Sequence, residues 1–408
     1  MSAKSITRET ETGSITGEQA LHAAQGYAEA LARKAELADQ GTDFRSQRGD
    51  VRKRVGALHP KRLQLRVAEI RVDTPSTKTL RLVARDGGAL PPFQAGQYVN
   101  LFVTINGTRT ARPYAISSSP LNLEYYDLTV KKLPTGFVSI YLVDDVVVGQ
   151  EFESTGPMGT FHYNPLFHGQ ELVFLAGGSG IAPAISMLKS VLNQQEQSLR
   201  FHFFYCNSFE TDVIFEQELR ELAASYVNNF RLTELVSRPT PEDYAGIRGY
   251  LSLEQLREAL PGAPERMYYI CGPTPFNDHC LDLLRQLNVK SRRVLVEGNG
   301  PPREPARLAD WPADVNPQQT VTVRVSGRAG QSASFTAPAG EPLLNSLERN
   351  GYGAENACRS GECSLCRVKL RSGEVYSPPE ALIRKSDRGY GWIHSCVAFP
   401  VSDVEIQL

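Results

Sequence analysis

Cys358-Arg359-Ser360-Gly361-Glu362-Cys363-Ser364-Leu365-Cys366, with Cys396 further along, has the C-x4-C-x2-C spacing plus one remote thiol that holds a plant-type 2Fe–2S cluster. A chain with this stretch carries single electrons. Small Ser360, Gly361 and Ser364 let the loop wrap closely, with its backbone N–H groups turned toward the sulfurs. A structural zinc site fits less well, because such sites usually repeat the C-x2-C pair and only one such pair occurs here. A disulfide framework also fits less well, since three thiols in one loop pair awkwardly. A Rieske centre is excluded: His394 lies two residues before Cys396, and no second Cys/His pair accompanies it.

A chain of 408 residues, at roughly 100–200 residues per domain, should form two to four domains, each with its own core. The net charge of -1 gives no reason to expect nucleic acid or an acidic substrate. No apolar run is long enough to span a bilayer, and the polar start MSAKSITRETETGSITGEQ is no signal peptide, so a cytoplasmic protein is expected. A reducing compartment also suits Cys206, Cys271 and Cys280 as free thiols.

Residues 1–62 stand apart from the rest. A frayed tail over 1–15 leads to a helix start, with Thr16 as cap and Gln19 three residues on. Leu21, Ala24, Ala28, Leu31, Ala35 and Ala38 then recur at helical spacing up to a stop at Gly41, which predicts one amphipathic helix. The basic run Arg45, Arg48, Arg52, Lys53, Arg54, Lys61 and Arg62 faces only Asp50 and reads as a solvated face or linker, or else a docking surface for an acidic partner or polyphosphate.

Residues 63–163 are rich in short β-branched and aromatic runs, LQLRVAEIRV, KTLRLVA, QYVNLFVTI, RPYAIS and YDLTVKKL, divided by turns such as Asn106-Gly107. Five or six antiparallel strands of this length predict a small closed barrel. Residues 164–298 alternate instead: ELVFLA, a helix from Ile181, RFHFFYC, a helix from Val213, FRLTELVS, a helix from Ser252, MYYICG, a helix near Pro275, then RVLVE. That order predicts a parallel, doubly wound α/β sheet. The proline-rich stretch 299–317 reads as a semi-stiff linker, and 318–408 as a hairpin, a short helix and the cluster loop.

Within the barrel region, Arg112 can pair with a phosphate, and Tyr114, two residues on, shares its face of a strand and can stack on a flat ring. An ordinary strand with a surface Arg explains these two equally well. Lys131 and the helix start Gly136-Phe137-Val138-Ser139 add weight, because such a start offers backbone N–H groups and a hydroxyl to a second phosphate. Gly156-Pro157-Met158-Gly159-Thr160-Phe161 follows. Between strand LVFLA and a helix lies Gly177-Gly178-Ser179-Gly180-Ile181-Ala182-Pro183, where glycines let a phosphate approach a helix N-terminus. A tight turn alone would also account for it.

These residues resemble the ferredoxin–NADP reductase superfamily, and residues 63–408 are similar to its oxygenase reductases of the phthalate dioxygenase reductase type. The resemblance implies a multidomain protein: an antiparallel β-barrel flavin domain, a doubly wound nicotinamide domain, a C-terminal β-grasp ferredoxin domain and an added N-terminal helical extension. It implies that Arg112 binds flavin phosphate, that Tyr114 lies against the isoalloxazine, and that Lys131, Gly136 and Ser139 belong to the flavin site. It further implies that Gly177, Gly178, Ser179 and Gly180, with Cys271-Gly272-Pro273, hold the nicotinamide cofactor, Cys271 and Glu297 lying near its ring. Two departures stand out. Ala115 replaces the usual Ser or Thr, so the hydroxyl near the flavin is lost or comes from Ser117 or backbone, and Ala182 replaces the usual Thr.

A nicotinamide releases two electrons as hydride and a 2Fe–2S cluster accepts one, so a flavin must lie between them. FAD is expected over FMN, from the G-P-x-G-x-F segment and the G-x-x-S helix start. The segment Asn207-Ser208-Phe209-Glu210 offers no cation, which leans to NADH, although Ser237-Arg238 is able to hold the extra phosphate of NADPH. The expected function is an NAD(P)H-dependent flavin iron–sulfur reductase that passes electrons to a separate metalloenzyme, most often an oxygenase component. A corrinoid, dehalogenase or other cluster protein docked through the front helix is the alternative, and a redox sensor a third. Arg359, Glu362 and Leu365 are expected to be exposed around the cluster loop and to meet the partner.

Overall fold

The computed structural model describes residues 17–39, 48–134, 136–193, 199–298, 300–302, 304–308, 310–326, 332–379 and 381–408. These fall into two compact units that divide between Leu58 and His59. The first holds α1 (Gly17–Asp39) and α2 (Arg48–Leu58). The expected tail, the cap at Thr16, the stop at Gly41 and Arg45 lie outside the described residues. The basic run is a helix over most of its length, not a linker: Arg, Lys, Ala and Leu are good helix formers, and only Gly49 and Gly56 weaken it. Leu31, Leu37, Val51 and Val55 are exposed. No helix among the described residues is long and apolar enough to cross a membrane.

The second unit begins with six antiparallel strands: β1 (Leu63–Thr74), β2 (Thr77–Ala84), β3 (Tyr98–Ile105), β4 (Thr108–Ala115), β5 (Tyr126–Lys131) and, after α3 (Phe137–Asp144), β6 (Glu151–Ser154). Their order is β4-β3-β6-β1-β2-β5. A bridge between Ile116 and Leu128 joins the two edge strands and closes the sheet into a barrel. Period-two alternation turns Leu65, Val67, Leu80, Leu82, Val99 and Leu101 inward. Burial of each is worth about 1.5–3 kcal/mol.

The α/β part follows: β7 (Glu171–Gly177), α4 (Ile181–Asn193), β8 (Arg200–Asn207), α5 (Glu216–Ser225), β9 (Phe230–Val236), β10 (Ile247–Arg248), α6 (Leu253–Ala259), β11 (Met267–Gly272), α7 (Thr274–Gln286) and β12 (Val294–Gly298). Its sheet is parallel in the order β10-β9-β8-β7-β11-β12. Two apolar layers cover it: Ile181, Ile185, Leu188 and Leu219 on one face, Leu256, Leu283 and Leu284 on the other. The helix expected from Val213 starts at Glu216. Val213 and Ile214 are buried first, and Phe215 turns the chain with φ +60°.

The last part pairs β13 (Thr320–Ser326) with β14 (Ser332–Pro338), then adds α8 (Leu343–Arg349), β15 (Arg367–Ser372), β16 (Val375–Tyr376), α9 (Lys385–Gly389), β17 (Trp392–His394), β18 (Phe399–Pro400) and β19 (Val404–Gln407). The main sheet runs β14-β13-β19-β15-β17, with β13 and β19 parallel, and α8 packs Leu343 and Leu347 into its core. The proline-rich segment before it is not a free spacer. Trp311 is 9% exposed and packs edge-on against Tyr376 and Phe399, its indole N–H donating to Val315 O at 2.9 Å. One large aromatic outweighs the extended bias of the prolines around it.

Candidate functional site at the meeting of three domains

The cluster loop is shaped by backbone conformations that few side chains adopt. Arg359, Gly361 and Ser364 have φ of +56°, +83° and +61°, and a Cβ on Gly361 would lie 2.9 Å from Val397 Cγ2. The turn brings the N–H groups of Glu362 and Cys363 to 3.3 Å from Cys358 Sγ. Cys366 Sγ and Cys396 Sγ lie 3.2 Å apart. Cys358, Cys366 and Cys396 are buried and Cys363 is exposed. Hydrogen bonding with Cys363 and then Cys396 favours the Cys358 thiolate. Among the described residues no three metal-ligating side chains surround one point, as a single ion would need. A two-iron cluster asks less, since its four thiolates divide between two irons. The donor set and the N–H groups aimed at sulfur fit such a cluster.

A pocket of about 380 Å³ joins this loop to the other two domains. It is lined by Tyr98 and Gly159 of the barrel, Glu297 at the end of β12, and Cys358, Cys363 and Leu365 of the loop. Glu297 pairs in register with Cys271 on β11. Its Oε2 is buried with no hydrogen-bond partner, and burial, reinforced by the nearby charge of Glu362, pushes the carboxyl up to about 8. Burial, with the charges of Glu297 and Glu362, also pushes the Cys271 thiol well up, so it stays protonated. An unsatisfied acid beside an apolar thiol, at the carboxyl ends of parallel strands, marks a ligand crevice.

Two glycine turns meet at that edge. Gly177 ends β7, Gly178, Ser179 and Gly180 form a single 3₁₀ turn, and α4 begins at Ile181 with Pro183 in its first turn. A Cβ on Gly180 would lie 1.9 Å from Cys271 O, and one on Gly272 would lie 2.5 Å from Phe276 Cδ1. Lys131 ends β5. It pairs with Asp212 at 2.5 Å, and a Cβ on Gly178 would lie 3.9 Å from its Nζ. Pro273 caps α7 and is exposed.

On the barrel, Arg112 and Tyr114 share a face of β4 and both are part-buried. Arg112 Nη1 donates to Thr110 Oγ1 at 2.6 Å and Ala111 O at 2.8 Å. Its guanidinium is lowered to about 10 by burial and by neighbouring Arg359. Burial also raises the Tyr114 phenol. Gly136 precedes α3, and Ser139 Oγ accepts from Leu133 N at 3.1 Å. Ser117 follows Ala115 by two residues. It is 2% exposed and bonds Asp127 O at 3.0 Å and Thr129 Oγ1 at 2.8 Å inside the barrel.

The expected exposed trio around the cluster divides. Glu362 and Leu365 are exposed but line or neighbour the shared pocket, whereas Arg359 is 5% exposed and ion-paired with Glu348. A left-handed φ turns Arg359 inward, and the buried carboxylate holds it there. Tyr98, Thr110, Asp212 and Glu348 belong to these sites without any sequence signal to announce them. Their partners are distant in the chain.

Three family models match in the same order: an oxidoreductase FAD-binding domain over residues 64–163, an oxidoreductase NAD-binding domain over 174–282, and a 2Fe-2S iron-sulfur cluster binding domain over 328–401. The glycine betaine monooxygenase reductase subunit of Pseudomonas aeruginosa is 32% identical over 320 residues, 77% of this chain and 87% of that protein. The ferredoxin reductase component of 3-ketosteroid-9-alpha-monooxygenase from Mycolicibacterium smegmatis is 30% identical over 347 residues, 84% of this chain and 95% of that protein. The solved structure of phthalate dioxygenase reductase shares the fold, with TM-score 0.64, 24% identity, and coverage of 85% of this chain and 98% of that one. The chain belongs to the ferredoxin–NADP reductase superfamily, as an NAD(P)H-dependent oxidoreductase with FAD-binding, NAD-binding and C-terminal 2Fe–2S domains.

Proposed function

We propose that this reductase draws reducing equivalents from NADH and delivers single electrons from its cluster to a separate oxygenase component. The pocket shared by the barrel, the end of β12 and the cluster loop supports this reading best. It puts residues of three sites around one space. When bound, the flavin accepts a hydride's two electrons and releases them singly, and the cluster relays one at a time.

In this reading the chain's own residues bind, orient and insulate. The glycines of the 177–180 turn and Gly272 admit the nicotinamide pyrophosphate to the α4 N-terminus, helped by Lys131. Arg112 would meet flavin phosphate, Ser139 would offer it a hydroxyl proton, Gly136, whose own N–H goes to Leu133 O, would leave room for it before α3, and Tyr114 would lie against the ring. Cys271, kept as a thiol, presents a neutral surface to the nicotinamide. Glu297 holds a proton at neutral pH beside it. Cys358, Cys363, Cys366 and Cys396 ligate the cluster.

The relatives named for glycine betaine and 3-ketosteroid monooxygenases support an oxygenase as the acceptor. Comparing NADH-driven reduction of cytochrome c with that of ferricyanide for Cys363→Ser tests the exit. Cytochrome c reduction should fall at least about tenfold relative to ferricyanide reduction, as expected when a single-electron exit is lost. Unchanged cytochrome c reduction would mean that electrons leave elsewhere. NADH-dependent product formation by an added non-haem iron oxygenase component tests the partner.

A further inference from the structure

One hydroxyl in the barrel is saturated across a domain boundary. Thr110, on β4 and 4% exposed, donates from Oγ1 to Glu348 Oε2 of α8 at 2.9 Å. The same oxygen accepts from Arg112 Nη1 at 2.6 Å and from Arg359 Nη2 at 3.1 Å. A hydroxyl has one proton and two lone pairs. All three are used, one toward the barrel and two toward the ferredoxin domain.

Arg359 reaches Thr110 from within the cluster loop, next to the ligand Cys358. Its other donors are held by its own domain: Glu348 Oε1, Asn345 Oδ1 at 3.2 Å and Asn356 Oδ1 at 3.3 Å. The side chains of Arg359 and Glu348 are 5% and 7% exposed. A buried ion pair adds little net stability over an apolar pair of the same shape, but it fixes one arrangement against others. Here the arrangement fixed is that of the cluster loop against the strand bearing Arg112 and Tyr114. The charges are also unequal. Two guanidiniums share one carboxylate, Arg112 Nη1 lying 3.9 Å from Glu348 Oε2, so one positive charge is left for an anion.

The structure assigns to Thr110, Glu348 and Arg359 the role of a positioning latch that sets the cluster loop against the strand bearing Arg112 and Tyr114.

The holoenzyme variants Thr110→Val and Thr110→Ser separate the hydroxyl from the shape. After mixing with NADH, the rate of cluster bleaching relative to flavin bleaching should fall about tenfold in Thr110→Val, as expected on losing hydrogen bonds to charged groups. Hydrogen exchange over residues 343–349 and 356–360 should rise by a similar factor, with the cluster's visible circular dichroism unchanged. Thr110→Ser should restore both. Native exchange and native cluster reduction in Thr110→Val would overturn the latch, as would failure of Thr110→Ser to rescue or an equal rise in exchange across the nicotinamide strands. If Thr110→Val does not fold, Glu348→Gln, which keeps the shape and removes the charge, must give the same pattern or the latch is wrong.

Discussion

A methyl group built on Gly180 would lie 1.9 Å from the carbonyl oxygen of Cys271, and 2.5 Å from its carbonyl carbon. The 177–180 turn and the Cys271-Gly272-Pro273 turn are therefore in backbone contact, with no flexible side chain at the contact to give way. Gly180→Ala must push them apart, and overpacking of this kind costs about 1–3 kcal/mol. The strain falls on the nicotinamide site, so KM for NADH should rise about tenfold while the cluster's visible spectrum stays native. An unchanged KM would show that the two turns separate without cost.

Trp311 ties the proline-rich segment to the ferredoxin domain. Its ring centroid lies 5.1 Å from that of Tyr376 and 6.1 Å from that of Phe399, and Tyr376 donates from its hydroxyl to Asp310 Oδ1 at 2.6 Å. Truncating a buried Trp costs about 3–5 kcal/mol. Trp311→Ala should lower the temperature at which cluster absorbance is lost, and leave the release of flavin fluorescence at its wild-type temperature. Parallel shifts in both would mean that the segment supports the whole unit.

How far the sequence could be read depended on the distance between partners. The C-x4-C-x2-C loop is a short continuous motif, so its spacing could be read directly, while the two glycine turns carried a ligand reading only through the family resemblance. Thr110 and Glu348 are 238 positions apart, and no local pattern joins them. Arg359 looked exposed because a charged residue in a polar loop usually is; its inward turn depends on Glu348, 11 positions earlier on a helix, and on Thr110 of the barrel. The bonds of Ser117 to Asp127 and Thr129 could not be read either, because they arise where the barrel closes, and closure is a property of two edge strands. The helix α2 was hidden because its dense charge breaks any apolar period.

His202 should make the α/β part sensitive to acid. It is 5% exposed, stacked on Phe204 with ring centroids 4.2 Å apart, and bonded through Nε2 to Thr233 Oγ1 at 2.8 Å. Burial, with Arg231 and Arg266 nearby, lowers the imidazole from 6.5 to about 3. The unfolded chain therefore takes up a proton below pH 6.5 that the folded chain refuses. The stability due to neutral His202 is complete above pH 6.5 and is lost as pH falls toward 3, by at most about 1.4 kcal/mol per pH unit. Thermal unfolding at pH 7 and pH 5 should show a smaller acid loss in His202→Gln than in wild type. Equal losses would place the acid sensitivity in other groups.

The choice between NADH and NADPH turns on two loops at the carboxyl ends of β8 and β9. Glu210 Oε2 accepts from Thr240 N at 3.0 Å, a bond that lowers its pKa and keeps it charged. The guanidinium of Arg238 sits 4.8 Å over the Phe209 ring, an attraction of about 0.5–1 kcal/mol at an exposed site. Arg238 is thus engaged with an aromatic face, while the Glu210 carboxylate is held on the backbone of the same loop. A 2′-phosphate meeting that carboxylate is repelled, so kcat/KM should favour NADH by about tenfold or more. Glu210→Gln should narrow the ratio, and Arg238→Ala should leave NADH turnover within about twofold of wild type, since a stacked Arg contributes little to ribose binding. If Arg238→Ala instead abolished a substantial NADPH activity and spared NADH, Arg238 would be the phosphate cation and the preference argued from Glu210 would be wrong.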